Sequence, residues 1–147
     1  MEKFEDAEQA LTEDELKAFE EEWELNLPKE FIYLYLESNG GYPPFDAVEG
    51  EEYVFNIDWF LPIKYGKLTI DRLLKDLRSQ GIDMKGMLPF AADPYDNLFV
   101  ISLSPADYGS VYLFGQEDDP GESSSYRYVC SSFVDFLTGL TNEYQDE

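Results

Sequence analysis

The sequence predicts an α+β fold, with helices layered on a sheet. Three observations predict it. Apolar residues recur at helical spacing in four separate segments. Short alternating or continuous apolar runs, bounded by Gly, Pro, Asn and Asp, mark strands around them. The chain also has 147 residues and 44% hydrophobic side chains, which is enough for one packed core. The chain therefore reads as one domain over residues 1–147, with its core from about 12 to 140.

The first helix begins at Thr12, whose hydroxyl can cap, with Glu15 three residues later to close a capping box. Leu11 and Leu16 occupy the staple positions, and Leu16, Phe19 and Trp23 form one apolar stripe. A second helix is expected from Pro28, a residue suited to the first helical position, with Phe31, Leu34 and Tyr35 facing the core. Asn39-Gly40-Gly41 is expected to end it in a left-handed conformation. Residues 41–52 read as loop, and 53–57 as a strand that Pro62 closes off. Thr69 caps a third helix with Ile70, Leu73, Leu74 and Leu77 on one face, stopping at Gly81. Residues 98–103 and 111–114 read as an antiparallel hairpin, and 126–129 as a further strand. Ser132 caps a last helix with Phe133, Phe136, Leu137 and Leu140. The expected core comprises Leu16, Phe19, Trp23, Phe31, Leu34, Leu73, Leu77, Phe133, Phe136 and Leu137.

Composition excludes several functions. Asp and Glu number 32 against 10 Lys and Arg, giving −22 at neutral pH. Nucleic-acid binding through phosphates needs a basic face, and docking on an anionic membrane needs cations. With no His, the chain lacks the commonest general base and metal ligand. Its single cysteine, Cys130, can form neither an internal disulfide nor a thiolate zinc site. A free thiol suits a reducing, cytoplasmic setting. The acidic opening residues lack the pattern of a signal peptide, and no apolar run is long enough to span a bilayer.

Candidate chemistry is sparse. Asp93, Asp96 and Asn97 are the nearest approach to a metal constellation, but they lack the ligand series of a calcium loop and read first as turn residues. With so many carboxylates, acid pairs occur by chance, and none stands out as a catalytic pair. No catalytic residue, metal or cofactor is expected. Cys130 reads as a small buried filler. Two acidic runs, Glu49-Gly50-Glu51-Glu52 and Glu117-Asp118-Asp119, suit either plain solvation or a basic partner. Trp59, in a strand, and aromatics in or beside loops, such as Tyr53, Tyr95 and Tyr126, are candidate contact anchors.

Several segments in fixed order carry a resemblance. They are Leu11-Thr12-Glu13, Leu27-Pro28-Lys29-Glu30-Phe31, Ser38-Asn39-Gly40-Gly41 and Trp59-Phe60-Leu61-Pro62. Leu88-Pro89-Phe90-Ala91, Asp93 through Asn97-Leu98-Phe99, Gly109-Ser110-Val111-Tyr112, and Ser132-Phe133 with Phe136-Leu137 follow. Together, from about Thr12 to Leu140, they resemble the SMI1/KNR4 (SUKH) superfamily. One departure is visible: where the family often has Gly-Gly or Gly-Asp before the strand at Leu98, this chain has Asp93-Pro94-Tyr95-Asp96-Asn97.

The resemblance implies a mostly antiparallel sheet and a bacterial immunity protein that neutralises a cognate polymorphic toxin, often a nuclease, by protein contact. The alternative, taken from fungal relatives, is an intracellular regulatory or scaffold module in signalling or cell-wall control. Neither implies catalysis. The partner expected is a protein, a basic toxin domain, because a nuclease cleft must hold phosphates. The contact residues expected are Glu49, Glu51, Glu52, Trp59, Asp93, Tyr95, Asp96, Glu117, Asp118 and Asp119.

Overall fold

The computed structural model describes residues 4–115 and 118–142. Helix α1 (Glu13–Trp23) starts at the expected capping box. The Glu15 amide donates to the Thr12 hydroxyl at 3.1 Å, and the Thr12 amide donates to the Glu15 carboxylate at 3.0 Å. Leu11 and Leu16, on either side of the cap, are both buried. The helix ends at Glu24, which adopts a left-handed φ of 53°.

Helix α2 (Lys29–Glu37) begins one residue later than the sequence implied, with Pro28 as the capping residue. Its end differs from expectation more sharply. Ser38 is extended, at φ −145°. The glycines that follow serve a close approach instead. Gly40 has φ +71°, and a Cβ there would lie 2.7 Å from the Pro62 backbone nitrogen. Asn39 is buried between segments. Its side-chain amide donates to the Gln9 and Ile63 carbonyls, each at 2.9 Å, and its oxygen accepts the Ile63 amide at 2.8 Å. Asn-Gly-Gly thus pins the chain after α2 to the strand that follows.

Strand β1 (Ala47–Glu49) lies inside the segment read as loop. Three residues are too few to show alternation. It pairs antiparallel with β2 (Val54–Asn56) and with β8 (Leu140–Thr141), giving a small sheet of order β2-β1-β8. Leu140 therefore belongs to a strand, and α4 (Phe133–Thr138) is shorter than its apolar pattern implied.

The larger sheet has order β3-β4-β5-β6-β7 and is antiparallel throughout: β3 (Trp59–Phe60), β4 (Met87–Ala92), β5 (Leu98–Ser102), β6 (Val111–Phe114) and β7 (Tyr126–Cys130). β4 is a central strand that the sequence reading lacked. Pro89 hid it, since proline cannot donate to a ladder. The sheet accommodates Pro89 at a register shift between Pro89 and Ala91. Together the elements form an α+β fold with helices packed on antiparallel sheets.

Alternation along β5 separates two faces of this sheet. Phe99 and Ile101 point to the main core, where Phe31, Tyr35, Phe60, Phe90, Phe133 and Phe136 are essentially inaccessible. Phe90 and Phe136 meet edge-to-face at 5.2 Å, a geometry that ring quadrupoles favour. The Tyr35 hydroxyl, wholly buried, donates to the Leu61 carbonyl at 2.7 Å. Leu98 and Val100 point to the opposite face, here called the outer face. There Val100, Met84 and Phe114 form a smaller cluster with Leu77, Met87, Tyr112 and Tyr126.

Helix α3 (Ile70–Ser79), capped by Thr69 as expected, supplies Leu77 to this outer cluster. Its single fully buried residue is Ile70, so Leu73 and Leu77 are half-buried rather than core. Trp23 and Leu137 are likewise at the core's margin, whereas Leu16, Phe19, Phe31, Leu34, Phe133 and Phe136 are buried as expected.

Candidate functional site

Of the residues that sequence reading put forward, Trp59 lies on the outer face itself, and the other described ones lie on the hairpin, turn and loop around it. Directly opposed residues on neighbouring strands share a face. Trp59 opposes Ala92, Ala92 opposes Leu98, Leu98 opposes Phe114, and Phe114 opposes Tyr126. One row therefore crosses the whole sheet, from Trp59 at one edge to Tyr126 at the other. Four strand spacings put its ends about 19 Å apart.

At the β3 edge, half-buried Trp59 stacks on Tyr42, with centroids 6.3 Å apart. Trp59, Leu61, Leu73, Ala92 and Leu98 line a groove of about 410 Å³ beneath α3, and Arg72, Asp76 and Asp96 lie on its lips. Tyr95 and Asp96 are exposed on the β4–β5 turn. Asp93 is buried, and its carboxylate is turned onto the same loop. It accepts the Tyr95 and Asn97 amides, each at 2.9 Å, and the Asn97 side chain at 3.0 Å. This is an Asx turn, so Asp93 shapes the loop rather than offering a free carboxylate to a partner. Asp96 adopts φ 66°, the left-handed geometry that Asp tolerates better than most residues. An Asx turn and a left-handed Asp thus stand where the family often has glycine.

At the β7 edge the acidic runs gather. Glu49, Glu51 and Glu52 are exposed at the tip of the β1–β2 hairpin. That tip is fastened to β7: the Glu51 amide donates to the Val129 carbonyl at 2.8 Å, and the Tyr128 hydroxyl donates to the Glu51 carboxylate at 2.7 Å. Asp118 and Asp119 are exposed on the loop that enters β7. Glu117 lies outside the described residues.

Between these runs stands a group of which sequence reading offered only Tyr126, as a loop-side aromatic. Tyr112, on β6, meets Tyr128 at 5.8 Å and Tyr126 at 6.3 Å, both edge-to-face. Each hydroxyl is fixed. Tyr112 donates to Asp107 at 2.5 Å, and Tyr126 donates to the Pro120 carbonyl at 2.7 Å. Burial, reinforced by Asp107, pushes the Tyr112 phenol up to about 12. The Glu51 hydrogen bond does the same for Tyr128, up to about 12. Both remain neutral donors through physiological pH. The signal for this ladder is the period-two spacing of Tyr126 and Tyr128, legible only once β7 is known to pair with β6 in this register.

Charge is distributed unevenly. Residues 64–85 carry six Lys and Arg against three Asp, net +3, so the rest of the chain carries −25. From residue 86 onward the sole cation is Arg127. Within the positive segment, Lys64 pairs with Glu15 at 2.6 Å and Arg78 lies 4.1 Å from the Trp23 ring centroid. At the β7 edge the relief is Arg127 alone, exposed on β7 and lining a shallow pocket with Asp118.

Cys130 is buried, and burial lifts its thiol to about 12, which fits a filler rather than a nucleophile. Among the described residues, no cluster of three or more His, Cys, Asp or Glu is arranged to hold a metal ion, and no helix is long and apolar enough to cross a membrane.

Among curated proteins and among solved structures, none matches the chain. The model of the SMI1/KNR4 family (SUKH-1) matches residues 10–139, which spans every helix described above. Domains of this family are of the immunity-protein type and act generally by binding protein rather than by catalysis. On that match, and on the antiparallel α+β fold beneath it, the chain belongs to the SMI1/KNR4 (SUKH-1) family.

Proposed function

We propose that this chain is an immunity protein that neutralises a cognate toxin by stoichiometric contact, and that the toxin presents a basic surface. The observation that carries the reading is the concentration of negative charge. Outside residues 64–85 the chain bears −25, and exposed carboxylates flank the β7 edge at both ends. A domain that hydrolyses or binds nucleic acid must hold phosphates with cations, and an acidic protein can occupy that cleft. Opposite charge also steers the encounter before contact.

The test is to look for a toxin-like reading frame beside this gene and co-express the two; a neighbourhood without one would count against the reading. The reading predicts that growth is rescued and that a 1:1 complex is recovered on size exclusion with light scattering. Absence of rescue by a well-expressed chain, or an acidic partner domain in the complex, would overturn it. Replacing Asp118 and Asp119 by Ser is expected to lower the association rate several-fold.

A further inference from the structure

We infer that the ladder of Tyr112, Tyr126 and Tyr128, with Glu51 and Asp107 at its rim, is a docking surface for an arginine-bearing segment of a protein partner. This deepens the reading above, since it says where the basic partner sits and which cation it presents.

The argument rests on what surrounds the rings. All three tyrosines are half-buried on the outer face; Tyr112 and Tyr126 belong to the cluster that Leu77 of α3 joins, and Tyr128 lies outside it. Their hydroxyls are held by acceptors at 2.5–2.7 Å, so the rings lose little freedom when something lands on them. Tyr126 lies against Phe114 at 5.2 Å, so the ring surface offered to a cation is that of Tyr112 and Tyr128, which meet edge-to-face. Two of the three hydroxyl acceptors are carboxylates; Asp107 also accepts the Ser102 hydroxyl at 2.5 Å, and exposed Glu51 keeps lone-pair directions for an incoming donor. Ring face and carboxylate side by side suit guanidinium better than ammonium, because guanidinium is planar, stacks, and donates in a fork.

The surface also differs from plain acidic exterior. Helix α1 carries an equally dense run in Glu21, Glu22 and Glu24, all exposed. Trp23, within that run, already carries the Arg78 guanidinium. A partner held by charge alone has no reason to prefer β7 to α1. A partner that uses rings and carboxylates together does.

The test uses the full chain, isotopically labelled, and two synthetic peptides of equal length: four Arg separated by Gly-Ser, and the same with Lys. Amide shift changes should concentrate at Tyr112, Tyr126, Tyr128 and Glu51, and the Arg peptide should bind at least about threefold tighter than the Lys peptide. Combined Tyr112→Leu and Tyr128→Leu should weaken Arg-peptide binding about tenfold. Glu21→Gln with Glu22→Gln should leave it unchanged. The shift map on the unaltered chain decides the matter even if the double variant fails to fold. Shifts spread over α1, equal affinity for the two peptides, or no saturable binding would overturn the inference. Toxin rescue without peptide seating on the ladder would sink this site alone. Peptide seating without rescue would sink the toxin reading alone.

Discussion

The two faces of the five-stranded sheet use aromatics in opposite ways. The inner face is closed by phenylalanine: Phe60, Phe90 and Phe99 meet Phe31, Phe133 and Phe136 from the helices, all at or near zero exposure. The outer face toward β7 carries tyrosine in the same kind of row, half-exposed, with every ladder hydroxyl tied to an acceptor at the rim. The ring supplies apolar area in both places. The hydroxyl makes the difference, since it requires a partner: the inner face satisfies one, Tyr35, with the Leu61 carbonyl, whereas the three ladder hydroxyls find theirs at the sheet's rim. The inner face therefore stabilises the fold, and the outer face is free to do something else.

That contrast fixes an order of mutational effects. Phe90→Ala or Phe136→Ala should destabilise by about 3–5 kcal/mol, because neither cavity can collapse against a filled core. Urea unfolding measures this, and a loss below about 1 kcal/mol would mean the inner face is loosely packed. Asn39→Ala comes next, at about 2–3 kcal/mol, since it strands the buried Ile63 amide and carbonyl. Gly40→Ala should also destabilise clearly, because the added Cβ meets the Pro62 backbone at a left-handed φ.

On the outer face Tyr128→Phe should cost less than about 1 kcal/mol, since it removes one partly exposed hydrogen bond. A cost as large as that of the inner-face substitutions would erase the contrast between the faces. The smallest effect is electrostatic. The Lys64 ammonium, with the Tyr65 hydroxyl and the Thr12 amide, holds the Glu15 carboxyl at about 2, below its ordinary 4.5. A depressed carboxyl contributes stability above its unfolded value and loses it as pH falls through the folded one. Glu15→Gln keeps a capping side chain but not the charge. Its melting temperature should lie below that of the unaltered chain at pH 7, and the gap should close between about pH 4.5 and 2. A gap that persists at pH 2 would show that the charge is not responsible.

The inner face was largely legible in the sequence. Thr12 with Glu15, and Ser132 ahead of Phe133, announce their helices through capping chemistry that is local in the chain. The losses have physical causes. β1 is too short for alternation to register, and Pro89 reads as a breaker until a register shift accommodates it. The end of α2 was misread because Asn39 and Gly40 answer to Ile63 and Pro62, which are distant in sequence. The candidate surface was half legible. The acidic runs were visible as charge. Their meeting at β7 depends on the Glu51 amide reaching Val129, and the tyrosine ladder depends on strand register; both are tertiary facts. Asp93, read first as a turn residue, is one: its carboxylate is spent on its own loop, which leaves little for the contact role also expected of it.

The central claim is that contact occurs at the β7 edge, through charge and rings, rather than anywhere on an acidic exterior. The most direct measurement is the association rate with the neighbouring gene's product, at low and high salt, for three proteins. These are the unaltered chain, a hairpin variant with Glu49, Glu51 and Glu52 replaced by Ser, and an α1 variant with Glu21 and Glu22 replaced by Ser. The account predicts that the unaltered chain slows markedly with salt, because screening acts within about 8 Å at physiological ionic strength. It also predicts that the hairpin variant is several-fold slower at low salt and that the α1 variant matches the unaltered chain. Equal slowing by both variants, or rates indifferent to salt and to either change, would contradict it.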